Sequence, residues 1–393
     1  MDTPTGETEP QRTGRIVALD GLRLAAALMV ALFHYAGRAG GFEVVWGDTP
    51  AKIFPFLHRP AAYGWLGVEL FFLISGFVIC MSAWDRDTIP FLRSRAIRLF
   101  PAYWAAVLIT ATAVYFWPVV TRPAGLSNVL LNLTMLQFPL GVPQVDGVYW
   151  TLWNEARFYL LFALLVWRGL TVARAIWFGY GWLTIGAVAM AGGEKWMLDV
   201  LQPAYSPLFV AGMAFFLIHR FGSSLARWGL VAASFLLAQH NMLARVALEE
   251  AMDIHAPLSD KAAILTLAAF FGVLAAVAVG WTAGIRWRWL TTAGLLTYPF
   301  YLIHEAVGWI IIHYTHGRAP HWLILTAVLL LMLAAAWLLH RLLERPIAAY
   351  LRRNLTLRRP AAPGIQRHVA GKKPVEAERR HPIDDGVLVD PRP

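Results

Sequence analysis

Two ionisable residues, Arg23 and His34, stand eleven positions apart in an apolar stretch, Arg15–Tyr35, reading RIVALDGLRLAAALMVALFHY. Eleven residues are almost three helical turns, so the pair shares one helix face, about 16 Å apart along the axis. A guanidinium holds anions through forked N–H donors. An imidazole titrates near neutral pH and can take a proton from a hydroxyl. A charge inside an apolar span costs several kcal/mol unless it is paired or solvated, so each is a candidate for function. Asp20 lies three residues before Arg23 and has a simpler reading as its local ion-pair partner at the membrane interface.

Four further stretches carry groups of this kind. In VYWTLWNEARFYLL, Glu155 sits about seven residues into a span, at a depth comparable to that of His34. In FLRSRAIRLFPAYW, Arg95 and Arg98 are three apart and project from one face. They read equally as ordinary cytoplasmic loop charge or as a paired clamp for phosphate. In LGVELFFLISGFVICM, Ser75 precedes Gly76. Ser-Gly within a span points first to close helix approach, and no serine-hydrolase elbow surrounds it. In LTYPFYLIHEAVGWI, Tyr301 and His304 share a face next to Pro299, whereas the neighbours His304 and Glu305 do not. His313, His316 and His321 gather near the end of that span, but their spacing fits no helical metal motif, and no metal is expected.

The elements that must position these groups are transmembrane helices. The 393 residues are 58% hydrophobic and 15% charged, far from the quarter charged residues of a soluble domain. The fold class is therefore all-α, a polytopic membrane protein of about ten spans: 19–38, 62–82, 99–119, 148–167, 175–191, 203–219, 228–240, 262–283, 289–313 and 321–340. The seventh is short for a full crossing. Residues 126–140, with Asn128, Asn132 and Pro139, read as a re-entrant or interfacial piece. Short loops rich in Arg alternate with poorer ones, which puts both termini in the cytoplasm. The same bias explains the net charge of +10 without nucleic acid, and membrane lipids are the expected surroundings. Residues 1–14 lack a basic n-region and read as a cytoplasmic tail before a retained span. Residues 15–345 form the membrane domain, and 346–393 a basic, disordered cytoplasmic tail. The single cysteine, Cys80, excludes an intramolecular disulfide framework.

Taken together, these pieces resemble the acyltransferase family 3 membrane proteins, which O-acylate carbohydrates and some other hydroxyl compounds. The resemblance rests on Arg23 and His34 in the opening helix, the LFFLISGFVI run and Arg95-x-x-Arg98 followed by Pro101 and Tyr103-Trp104. It continues with WTLWNEARFYLL containing Glu155 and with YPFYLIH near the end, all in family order. It implies acyl-CoA, with acetyl-CoA the expected form, as a donor arriving from the cytoplasm. It also implies a sugar hydroxyl as acceptor and a bacterial cytoplasmic membrane as the location. His34, Glu155 and Arg23 would form the catalytic centre, with Glu155 orienting His34 or balancing its charge, and Arg95 and Arg98 would bind the coenzyme's phosphates. Asp20, Ser75, Tyr301 and His304 would line the site. Two departures stand out. Ala163 replaces a frequent proline, and Glu305-Ala306 replaces the usual Pro-containing continuation after LIH. No C-terminal hydrolase-like domain follows, so the two-step transfer of the subgroup that carries one is not expected. The competing reading is a proton-coupled transporter or lipid-linked glycan flippase with His34, Glu155 and His304 as a relay. The absence of a visible internal repeat weighs against it.

Overall fold

The computed structural model describes residues 15–254 and 256–355. The expected tail over 1–14 lies outside them, as does 356–393 of the expected tail 346–393, whose described start belongs to the helix Arg345–Leu355. Among the described residues there is no strand, and nine helices are long and apolar enough to cross a membrane. The long helices are α1 (Val17–Leu32), α2 (Gly67–Ala83), α3 (Thr88–Phe116), α4 (Trp150–Trp167) and α5 (Val172–Gly192). They continue with α6 (Ser206–Phe221), α7 (Leu225–Glu249), α8 (Asp260–Ala278), α9 (Arg288–Thr315) and α10 (His321–Leu339). The helix outside the nine is α4. It has 18 residues, but Asn154, Glu155 and Arg157 fall in its first turns.

Three elements differ from the sequence expectation. The seventh helix is no fragment: α7 has 25 residues. Its apolar run is cut by Asn241, Arg245 and Glu249, and Asn241 and Glu249 are turned into the bundle and buried. Asn241 is held there by donating to the Pro203 carbonyl at 2.9 Å. The third helix starts at Thr88 rather than at 99, so Arg95 and Arg98 belong to a helix rather than to a loop. The first helix runs on through a π-helical turn, Phe33–Gly37, which contains His34. Single π turns of this kind are frequent at functional sites. The re-entrant reading of 126–140 meets a helix of only eight residues, Leu126–Leu133. It is pinned through Asn132, which donates to Asn128 and Pro143 carbonyls and accepts from the Val145 amide.

The centre of the bundle is α6, buried without interruption from Ser206 to Ile218. A helix that is apolar all round has no face to give to lipid or water and goes to the core. It packs most closely on α2, where Gly76 and Gly212 face each other's backbones. A Cβ on either would collide with the opposing helix. That is the close approach which Ser75-Gly76 pointed to. On its other side α2 meets α1, α1 meets α9, and α9 meets α3 and α10. The groups singled out above therefore converge on the space between α1, α2, α4 and α9.

Candidate active site

Two chambers lie along α1. The first, about 90 Å³, is lined by Arg23, Ser75, Arg98, Glu155, Tyr159 and Tyr298, among others. Glu155 accepts a hydrogen bond from the Ser75 hydroxyl at 2.9 Å. Asp20, almost fully buried, is taken by Arg15 at 2.6 Å and lies 3.8 Å from Arg23. It fits a notch opposite Gly294, where any Cβ would meet the carboxylate. The spacing pointed to the longer of these pairings, with Arg23, and not to the shorter one with Arg15. Arg95, half-buried one turn before Arg98, lies within electrostatic reach of Glu155 and Arg98. Arg15, Arg23, Arg95 and Arg98 thus bring four guanidinium groups against two carboxylates, Asp20 and Glu155. The surplus of positive charge suits an anion.

The second chamber, about 240 Å³, holds His34, Arg38, Trp65, Arg245 and Glu305 in its wall. With both rings neutral, its hydrogen bonds assign the tautomers of the histidines. His304 Nδ1 lies 2.8 Å from the Tyr301 carbonyl, which can only accept, so that nitrogen carries the hydrogen. In a neutral ring His304 Nε2 is then an acceptor, and His34 Nδ1, 3.0 Å away, donates to it. The remaining nitrogen, His34 Nε2, keeps its lone pair on the chamber side. It faces Glu305 Oε1 at 3.4 Å. The π turn that aims His34 is tied to α9 at several points. Trp309 Nε1 donates to the His34 carbonyl at 2.9 Å, and the Tyr35 hydroxyl donates to the His304 carbonyl.

Glu305 belongs to a carboxyl cluster. Arg38 donates to its Oε1 at 2.9 Å and stacks over the Trp309 ring at 5.3 Å. Asp146, in the loop before α4, is fully buried and hydrogen-bonded to Glu305. Burial, with Glu305 alongside, pushes the Asp146 carboxyl well above the usual carboxylate range. Of the two carboxyls, Asp146 is thus the one whose protonated form burial favours. Gly147 leaves room for the pair, since a Cβ there would meet the Glu305 carboxylate.

The two chambers share wall residues Val68 and Tyr301, and Tyr301 is fixed by a 3.1 Å hydrogen bond between its hydroxyl and that of Thr151. Of the residues singled out from sequence, Arg23, Ser75, Arg98 and Glu155 meet in the first chamber. His34 lines the second chamber, His304 lies buried behind it rather than in the wall, and Tyr301 stands between the two chambers. The expected pairing of Glu155 with His34 is not the one observed. Glu155 bonds to Ser75, and the carboxylate at His34 is Glu305. Sequence reasoning missed Glu305, Asp146 and Arg38. The signal for Glu305 was present: a carboxylate mid-span on α9, in the Glu305-Ala306 pair that replaces the Pro-containing continuation usual after LIH in the resembling family. Among the described residues no group of three or more His, Cys, Asp or Glu side chains could hold a metal ion. His313 and His316 instead bond backbone carbonyls of Val44 and His313.

Comparison with known proteins bears on what such a site does. A family model described as an acyltransferase domain matches residues 16–341. The acyltransferase MdmB of Streptomyces mycarofaciens is 28% identical over 395 aligned residues, covering 90% of this chain and 96% of that protein. The exopolysaccharide production protein ExoZ of Rhizobium meliloti (strain 1021) is 30% identical over 165 residues, covering 38% of this chain and 49% of that protein. No solved structure matches. The family match runs from the start of α1 to the end of α10, and so takes in both chambers and every helix that lines them. This multi-pass membrane protein belongs to the acyltransferase 3 family.

Proposed function

We propose that the protein transfers an acyl group, acetyl first among them, from acyl-CoA to a hydroxyl of an envelope or exported glycan, in a bacterial cytoplasmic membrane. The single observation that carries the reading is the hydrogen-bonded chain from the Tyr301 carbonyl through His304 to His34, with the Glu305 carboxylate 3.4 Å from His34 Nε2. The acceptor hydroxyl oxygen attacks the thioester carbonyl carbon while Nε2 takes its proton. The carbonyl re-forms, the carbon–sulfur bond breaks, and the leaving thiolate is protonated from the imidazolium. Glu305 meets the positive charge on His34 as it develops, and Arg38 and Asp146 fix the orientation of Glu305.

Arg23, Arg95 and Arg98 hold the donor's phosphates at the cytoplasmic mouth, where their surplus charge has its use. The pantetheine arm runs past Val68 and Tyr301, the residues common to both chambers, so that its thioester reaches His34. Glu155, held by Ser75, tempers the guanidinium cluster. A glycan acceptor draws support from the family resemblance and from the name of the exopolysaccharide relative. The transporter alternative has no comparable support, since the family and the fully aligned relative are both named for acyl transfer.

The test is turnover of purified protein in lipid nanodiscs, with release of free CoA thiol from acetyl-CoA followed by dye and the acylated product by mass spectrometry. Rapid-quench labelling with radioactive acyl-CoA and no acceptor accompanies it. The proposal expects no labelled protein, and a stably labelled His34 or Ser75 would replace direct transfer by an acyl-enzyme route.

A further inference from the structure

The His34 chamber has a wall that the proton chain does not use. Trp65 lies in the turn Gly64–Leu66 that leads into α2, Trp150 opens α4, and Arg245 and Glu249 come from the last turns of α7. All four line the chamber. The Arg245 guanidinium sits over the rings of Trp65, Trp150 and Tyr205 at 5.4, 5.7 and 5.3 Å. It donates to the Tyr205 hydroxyl at 2.6 Å and to Glu249 at 3.2 Å. Its Nε and the indole Nε1 of Trp65 are both buried and have no hydrogen-bond partner among the described residues. A buried donor without a partner is costly and uncommon in a native protein. Two of them in the wall of one cavity point to oxygen atoms that arrive with a ligand.

The chemistry of the wall says which ligand. Arg245 is already neutralised by Glu249, with the buried Glu69 also in electrostatic reach, so this wall does not offer the net positive charge that an anion needs. It offers indole faces, fixed N–H donors and a carboxylate acceptor. This combination suits a neutral ring that carries several hydroxyls on an apolar face. At about 30 Å³ of liquid volume per water molecule, the chamber has room for a single sugar ring. We infer that Trp65 and Arg245 bind one neutral sugar ring of the acceptor and present its hydroxyl to His34, with Glu249 accepting from a neighbouring hydroxyl. The inference rests on the acyl-transfer reading above, but it concerns residues which that reading does not use.

The experiment is isothermal titration of the full-length protein in nanodiscs, without acyl donor, using the methyl glycosides of glucose, galactose and mannose, with cyclohexanol as a ring of similar size carrying one hydroxyl. At least one methyl glycoside is expected to bind the wild type. Trp65→Phe keeps an aromatic ring but removes the N–H, and Arg245→Lys keeps the charge but removes the fork. Each is expected to weaken binding about ten-fold, the loss of roughly one hydrogen bond. The inference is overturned if no glycoside binds, if cyclohexanol binds as well as the glycosides, or if both variants bind like the wild type. Melting temperatures identify a variant that fails to fold, and the wild-type titrations stand without it. Because no donor is present, the two readings fail separately. Glycoside binding without any acyl-CoA turnover removes the transferase reading, whereas turnover without glycoside binding removes only this subsite.

Discussion

Replacing Glu305 by Gln changes little in shape and removes one charge 3.4 Å from His34 Nε2. At an effective dielectric constant of about 20, a unit charge at that distance stabilises an imidazolium by about 5 kcal/mol. Arg38, 2.9 Å from the same carboxylate, offsets part of this. A net loss of about 3 kcal/mol remains, which corresponds to a fall of roughly 100-fold in kcat. The assay is CoA thiol release at saturating acetyl-CoA and acceptor, with the KM for the donor measured alongside. That KM should stay within about two-fold, because Glu305 lies in the other chamber from Arg23 and Arg98. A rival cause must be separated: the variant leaves Arg38 without this carboxylate in a partly buried site. The double variant Glu305→Gln/Arg38→Gln removes both charges. If stranding of Arg38 were the cause, the double variant would recover the rate. The electrostatic account expects it to stay low. A Glu305→Gln enzyme within about three-fold of wild type in kcat would refute the reasoning, because no imidazolium could then be forming against this carboxylate.

Three further outcomes follow from the same geometry. Arg98→Ala should raise the KM for acyl-CoA by roughly 10- to 100-fold, the worth of a charge-assisted hydrogen bond, and leave the acceptor KM alone; steady-state kinetics in both substrates checks this. Ser75→Ala removes one hydrogen bond to Glu155 and should slow turnover about ten-fold at most, measured by the same thiol release, whereas complete loss would put an acyl-serine back into the mechanism. Burial beside Glu305 makes Asp146 hold its proton to higher pH in the folded chain than in the unfolded one, where it is lost near pH 3.8. Above that pH the unfolded state binds fewer protons, so stability declines as pH rises toward the elevated folded value. Asp146→Asn cannot lose a proton, and its melting temperature should fall less than that of the wild type between about pH 5 and about pH 8.

The sequence carried most of the architecture because a membrane span must satisfy its own backbone, which leaves a long apolar run as its signature. It misjudged α7, where Asn241, Arg245 and Glu249 interrupt the run. Those side chains face inward, and a hydropathy profile does not distinguish a polar residue in a cavity wall from one facing lipid. Arg23 and His34 were legible from their spacing on one face, and the π turn that aims the imidazole was not, since it changes the period locally. The carboxylate at His34 was misassigned for a related reason. Similar depth suggested Glu155, but depth fixes only one coordinate. The contact depends on rotation about two helices, and that rotation brings Glu305 to His34 and leaves Glu155 with Ser75. Asp146 lies in a loop with no periodicity to place it.

The central claim is that His34 takes the acceptor's proton during acyl transfer. The direct measurement is kcat for acetyl transfer by His34→Gln in nanodiscs, beside the wild type, with donor KM and melting temperature recorded for both. General-base catalysis contributes about 10²- to 10⁴-fold, so the account predicts a fall in kcat of that size with the donor KM and the fold unchanged. A folded His34→Gln enzyme that transfers acetyl groups at the wild-type rate would contradict it.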